Sequence, residues 1–378
     1  MILLISNFPW DHACGGAFIL RNNLDLIGPE RVHWLALSRP TGHVPFARTH
    51  VECEFQVAPA RGNVRLRLQR FWMWYYRTCW SPQIASLLLQ RVRDLKPRLI
   101  WLMADFGLAP IGLRMLPHLR GHRVHVSVHD DPAPTAQREG MSEAFIREVY
   151  AFQASIGDTD FTADAVTEDL LEKTVPSARK KAVVTMPVAP AHCAPELVLP
   201  AKKGVLTVGF SGNFLGEREF ICLVDGLRLW SQRTGRDWRL HAFGRSGLAR
   251  LDARVEARGF TTPDEVRMRL RECDLLFLPC PVDAAEMMTS LPTKLVSYTE
   301  AGRAILAFAP AGSATERIIT ESGIGLVLNT RDALRVAECL DHLPLLDPEK
   351  AQRGRRALIG ERFSPSRIAR DLGTVLGS

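Results

Sequence analysis

With 378 residues the chain exceeds what one hydrophobic core usually supports, so two domains are expected. Its 46% hydrophobic and 24% charged residues are those of an ordinary soluble globular protein, and no apolar run reaches the roughly 20 residues needed to span a bilayer. The net charge of +7 favours acidic partners, and eight scattered cysteines without a CxxC pair argue against a zinc site or a disulfide framework.

Residues 1–7 lack a basic leader region and a small-residue cleavage site, and read as a short buried strand. With the cysteine pattern, this points to the cytoplasm. Further strands are predicted at 32–37, 99–103 and 124–128, and a second series at 206–211, 239–243, 275–278, 304–307 and 325–328. Helices lie between them, for example over 220–233 and 263–272. Doubly apolar strands separated by helices indicate parallel sheets of doubly wound α/β type. The series restarts near 205, after a stretch rich in proline from Pro187 to Pro200. That places an N-terminal domain at 1–186, a linker at 187–203 and a C-terminal domain at 204–360. Ligands of such folds bind at the carboxyl ends of the strands.

Four stretches carry chemistry. Gly15-Gly16 follows the first strand, and glycine lets backbone N–H groups approach a sugar or phosphate closely, although such pairs also make plain surface loops. His129 ends the run 124–128, where it is placed to hydrogen-bond a sugar hydroxyl. Asp130 and Asp131 are candidates for the general base of an inverting transfer, or else caps of the next helix. From Phe55 to Arg93 there is no acid, and Arg65, Arg67 and Arg70 stand beside Trp72, Trp74 and other rings as far as Trp80. That composition suits an anionic membrane surface or a lipid-diphosphate acceptor, and equally an amphipathic helix with core aromatics. Nucleic acid is not expected as a partner. Finally, Pro292, Thr293 and Lys294 open a helix that Gly302 ends. Free N–H groups at a helix start with a lysine beside them form a diphosphate site. On local physics alone an ordinary helix start with a solvated lysine is the stronger reading.

The stretch 290–307 resembles the P-x-K-L-x-E-Y-x-A-x-G-x-P-V-I signature of GT-B glycosyltransferases, especially the polysaccharide-forming relatives of glycosyltransferase family 4; Pro292, Lys294, Leu295, Tyr298, Gly302 and Ile305 match. Residues 209–218 resemble that family's first C-domain strand and glycine-rich turn, and Gly259-Phe260 and 273–279 resemble further landmarks. Gly15-Gly16 and His129-Asp130-Asp131 resemble its glycine loop and His-Asp turn. The resemblance implies two doubly wound Rossmann-like domains facing a central cleft, with the last segment, 361–378, crossing back to the N-terminal domain. It implies transfer of a sugar from a nucleoside-diphosphate sugar to a glycan or lipid-linked acceptor in polysaccharide or glycoconjugate biosynthesis, usually with retention. The protein would sit in the cytoplasm or on the inner face of the membrane, and no metal or cofactor would be needed.

By the same resemblance, Lys294 and Arg218 stabilise the leaving diphosphate. Gly212, Asn213, Gly244, Phe260, Pro292, Thr293 and Ser297 bind the nucleotide side, and His129 with Gly15 and Gly16 the sugar side. The sequence departs from the family at Thr289 and Ser297, where two glutamates eight positions apart are usual, and at Asn213, where arginine is usual. Glu286 and Glu300 are near in sequence but at other spacings. These departures keep open a second class, a catalytically degenerate nucleotide-sugar binder or a partner of another transferase. A nicotinamide-dependent oxidoreductase is disfavoured, because no G-x-G-x-x-G follows a strand with an acid at the expected distance.

Overall fold

The computed structural model describes residues 1–8, 15–37, 52–55, 69–157, 161–201, 203–212, 216–244, 250–259 and 262–377. The chain divides into two compact units, one of Met1–Met186 with Ile368–Ser378 and one of Pro187–Arg367.

In the first unit, seven strands form one sheet: β1 (Ile2–Ser6), β2 (Val32–Ala36), β3 (Glu52–Phe55), β4 (Leu99–Met103), β5 (Val124–Val128), β6 (Thr162–Ala165) and β7 (Lys180–Val183). Their order is β3-β2-β1-β4-β5-β6-β7, and every neighbouring pair is parallel. β1, β4 and β5 are buried at all five positions; β4 is apolar throughout and β1 up to Ser6, as strands covered on both faces tend to be, while β5 alternates valine with buried His125 and Ser127. The strands that composition did not reveal are β3, β6 and β7. β7 begins with two exposed lysines at a sheet edge, and β6 has the small and polar sequence Thr-Ala-Asp-Ala. Neither carries the apolar run by which a buried strand is recognised.

The chain's last helix, Pro365–Leu376, joins this unit's core. Ile368, Leu372, Val375 and Leu376 recur on one face and pack with Ile2, Leu4, Leu20, Leu24, Trp34 and Trp101. Each such aliphatic side chain taken from water contributes about 1.5–3 kcal/mol, enough to hold a terminal helix in place.

The second unit holds β8 (Leu206–Ser211), β9 (Trp238–Phe243), β10 (Val255–Gly259), β11 (Leu275–Pro279), β12 (Ala304–Phe308) and β13 (Gly325–Leu328). The order is β10-β9-β8-β11-β12-β13, again all parallel. Phe210, Phe220, Phe277 and Phe308 run through its core edge to face, with centroids 4.7, 5.0 and 5.9 Å apart in turn. β10 was not predicted; only Val255 of its residues Val-Glu-Ala-Arg-Gly is buried. The proline-rich stretch after 187 belongs to this unit. Ala189 N–H donates to Glu300 Oε1 at 2.6 Å, Ala194 N–H to the Glu300 carbonyl at 2.8 Å, and Val198 N–H to the Gly302 carbonyl at 2.9 Å. Buried Arg355 donates to the carbonyls of Thr299, Glu300 and Ala194. Strand order reverses between β1 and β4 in one sheet and between β8 and β11 in the other; ligands of open parallel sheets bind at these reversals, beyond the carboxyl ends of the strands.

No helix among the described residues is long and apolar enough to cross a membrane.

Candidate functional site

In the C-terminal unit the structure gathers three sequence-predicted residues from distant parts of the chain. Gly212 follows β8, Gly244 follows β9, and Lys294 lies in the first turn of the helix Thr293–Ala301. Gly212 N–H donates to the Phe243 carbonyl at 2.8 Å and Gly244 N–H to the Gly259 carbonyl at 2.7 Å. Both glycines have positive φ, +103° and +124°. A Cβ on Gly244 would lie 2.5 Å from the Gly212 carbonyl oxygen, and one on Gly212 would lie 2.8 Å from Lys294 Cε. Two side-chain-free turns thus leave room for the lysine stem.

The lysine is half-buried, with its ammonium 5.6 Å from the centroid of Phe210. Burial pulls its pKa below the ordinary lysine value. Burial pushes the Cys280 thiol up to about 12, so it holds its proton at neutral pH and does not offset the ammonium. Among the described residues no carboxylate lies within ion-pair distance of Lys294. The helix begins at Pro292, which gives its first turn no side-chain cap. A partly desolvated cation beside uncapped N–H groups is a receptor for an oxyanion. Tyr298 fixes the arrangement: one turn beyond Lys294, its hydroxyl accepts from Ser211 N–H at 3.1 Å and donates to the Phe277 carbonyl at 3.1 Å, tying the helix to β8 and β11.

The remaining predicted residues of this unit are placed differently. Thr293 and Ser297 are half-buried on the same helix. Arg218 lies in the first turn of the helix Glu217–Thr234, is 77% exposed, and stands 3.9 Å from Asp283. Asp283 is held more closely by Arg331, which also pairs with buried Glu219 at 2.6 Å. Asn213 and Phe260 lie outside the described residues. Thr289 and Glu286 are both buried. Glu300 is occupied in holding the segment at Ala189, and burial keeps its carboxyl above the usual range; it does not stand in for the missing glutamate.

In the N-terminal unit Gly15 and Gly16 are the first residues of the helix Gly15–Ile27, which follows β1 after a gap in the described residues. A Cβ on Gly16 would lie 3.3 Å from His129 Nδ1 and 3.0 Å from Phe8 Cζ, so the helix start and the histidine at the end of β5 are close neighbours. His129 is 8% exposed, and its Nδ1 is buried without a hydrogen-bond partner. Burial lowers its pKa, opposed first by Asp164 and then by Asp130. At neutral pH it is a neutral ring with one polar atom unsatisfied. Asp130 is exposed. Asp131 is the N-cap of the helix Pro132–Arg138, accepts from Ala133 N–H, and pairs with Lys173 at 2.7 Å. The cap reading describes its geometry, and its lone pairs are committed locally.

The aromatic and arginine stretch divides in two. Trp80 is buried and stacks on Tyr76, with centroids 4.8 Å apart. Tyr76 donates to the Gly107 carbonyl, and Arg77 pairs with Glu148 at 3.0 Å. These residues are part of the fold. Phe71 and Trp74, by contrast, are 53% and 54% exposed and lie 6.0 Å apart. Arg65 and Arg67 lie outside the described residues, as do the side chains of Arg70 and Trp72.

Sequence reasoning missed Asp164, Glu219 and Arg331. For Asp164 a signal existed: polar residues alternate along two adjacent buried strands, His125-x-Ser127 on β5 and Thr162-x-Asp164 on β6.

No protein-family model matches the chain, and no curated protein sequence matches it. Solved structures do. The sucrose-phosphate synthase of Thermosynechococcus elongatus shares 14% identity at a TM-score of 0.69, over 99% of this chain and 97% of that one. HepE of Anabaena, solved with UDP and glucose, shares 13% identity at a TM-score of 0.70, over 100% and 99%. The trehalose-6-phosphate synthase OtsA shares 14% identity at a TM-score of 0.63, over 98% and 96%. At this identity the likeness concerns architecture: two parallel doubly wound sheets, one per unit, in the strand orders described above. The chain has the GT-B fold of these glycosyltransferases.

Proposed function

We propose that the protein transfers a sugar from a nucleoside-diphosphate sugar to a glycan or lipid-linked acceptor, in the cytoplasm or at the inner face of the membrane. The observation that carries this reading is Lys294, a half-buried ammonium without a carboxylate partner among the described residues, at an uncapped helix start and against the Gly212 backbone. When the bond to the sugar breaks, negative charge accumulates on the departing diphosphate. A preorganised cation and aligned N–H groups stabilise that charge more in the transition state than in the ground state. Exposed Arg218 adds long-range positive charge, and Gly244 keeps the turn open. On the N-terminal unit, the unsatisfied Nδ1 of His129 beside the Gly15-Gly16 helix start serves a sugar hydroxyl. The reading draws support from the fold shared with sucrose-phosphate synthase, trehalose-6-phosphate synthase and the UDP-bound HepE. No step in it calls on a metal or cofactor. Exposed Phe71 and Trp74, in a stretch with arginines and no acids, support contact with an anionic membrane that presents the acceptor.

Ser297 and Thr289, standing where glutamates are usual, favour a second reading: a nucleotide-sugar binder that does not turn over. Titration calorimetry with UDP, GDP and ADP, paired with release of the nucleotide from the matching sugar donor, separates the two. Lys294→Ala should weaken binding of the best nucleotide and cut turnover at least about tenfold, or roughly 1.4 kcal/mol. Binding without turnover in the parent selects the second reading. Unchanged affinity in folded Lys294→Ala removes the diphosphate site from this helix and the proposed donor with it.

A further inference from the structure

At the amino end of the N-terminal sheet, a cavity of about 250 Å³ opens among the first residues of β4, β5, β6 and β7. The end of the helix Pro365–Leu376 closes one side of it. Three cations line the cavity: Arg123, which precedes β5, Arg179, which precedes β7, and Lys180, the first residue of β7. Among the described residues no acid lines it, and none of the three cations has a carboxylate partner.

The register explains the convergence. Thr162 opens β6 and stands opposite His125 on one side and Lys180 on the other. β5 and β7 are therefore two strand spacings apart, roughly 10 Å, a gap that arginine and lysine side chains span from both sides. Strand alternation turns Lys181 to the other face, where it pairs with Glu172 at 2.8 Å. Arg123 is held by the helix, its Nη2 donating to the Leu376 carbonyl at 3.2 Å. Residue 377 is glycine with φ +64°, and a Cβ there would collide with that same nitrogen. The guanidinium thus sits where only glycine leaves room for it, with its other nitrogens left for a ligand. Three like charges gathered without an acid raise the energy of the folded state, and an anion among them removes that cost.

We propose that this cavity is a second ligand site, for a phosphate group held by Arg123, Arg179 and Lys180. Its volume lies just under the about 300–1,000 Å³ of sites for drug-sized ligands, so the phosphate carries at most a small substituent. Such a group belongs to a free phosphate ester or to the headgroup of an anionic lipid. The site is separate from the sugar site proposed above, because His129 stands beyond the carboxyl end of β5 and the cavity lies at its amino end.

The test compares the parent with Arg179→Gln/Lys180→Gln, whose two positions are exposed and outside the core. Lys294 is intact in both, so any difference between them arises at the amino end of the sheet. Arg335→Gln/Arg353→Gln, also at exposed positions, removes the same charge elsewhere. Calorimetry with inorganic phosphate at fixed ionic strength is the first arm, and sedimentation with mixed phosphatidylcholine and phosphatidic acid vesicles the second. Arg179→Gln/Lys180→Gln should weaken phosphate binding at least about tenfold, the loss of two charge-assisted contacts, while the control pair leaves it in place. That result assigns a free phosphate ester. Unchanged phosphate binding with sedimentation lost only in Arg179→Gln/Lys180→Gln assigns the lipid headgroup. A variant that matches the parent in both arms overturns the proposal, as does an equal loss in the control pair.

Discussion

Beyond β8 in the C-terminal unit stands an ammonium, Lys294, packed against the Gly212 backbone at an uncapped helix start. Beyond β5 in the N-terminal unit stands His129, a ring that burial keeps neutral, packed against Gly16 at another helix start. Both sheets are parallel and doubly wound, and both reverse strand order next to the strand that leads to a glycine-containing turn. One side chain decides what each end recognises. A lysine carries positive charge once an oxyanion sits beside it, since an opposite charge favours its protonated form, and so answers to phosphate. A buried histidine sheds its proton, and so answers to a hydroxyl. The same layout becomes an anion site or a sugar site through the proton affinity of one residue.

Breaking the anion end should have the largest effect. Gly244→Ala places a methyl group 2.5 Å from the Gly212 carbonyl oxygen at a φ of +124°. The backbone strain alone costs about 1–3 kcal/mol, and the Gly212 turn against Lys294 must shift to make room. Urea unfolding should show the loss of stability, and calorimetry with UDP should show affinity falling with it. Tyr298→Phe is milder. It leaves Ser211 N–H and the Phe277 carbonyl without the hydroxyl that bridges them, a cost of about 1 kcal/mol. If Tyr298 only filled space, the urea midpoint would not change.

The histidine end should reveal itself through pH. The pKa of folded His129 lies below its unfolded value of about 6.5, so between the two values the unfolded chain binds more protons. This contribution to stability is fully present above about pH 6.5 and is lost as pH falls toward the folded value. His129→Gln should flatten the fall in stability below pH 6.5, leaving the part owed to His241, whose pKa is lowered in the same sense. Equal slopes in parent and variant would place the proton uptake elsewhere. The smallest effect belongs to exposed Trp74: Trp74→Ala should change unfolding free energy by less than about 0.5 kcal/mol while reducing sedimentation with anionic liposomes. Equal sedimentation would reduce Trp74 to an ordinary surface ring.

The sequence made the central strands visible because β4 and β11 are buried on both faces and apolar throughout, β1 is so up to Ser6, and β5 keeps valine at every second position. It also marked the helix Thr293–Ala301 at both ends, with proline before it and glycine after it. The edge strand β7 and the polar β6 stayed hidden, because their identity as strands comes from their neighbours. The candidate site divides along the same line. Lys294 and His129 were legible as a cation at a helix start and a histidine at a strand end, each a local pattern. That Gly212 and Gly244 touch, that Glu300 is committed to the segment at Ala189, and that Asp131 is a cap paired with Lys173 are relations across tens of residues. The sequence by itself determined which side chains carry charge and which strands lie inside. Only the tertiary structure decided which of those charges are compensated, since pairing and burial depend on residues that the fold, not the chain, makes neighbours.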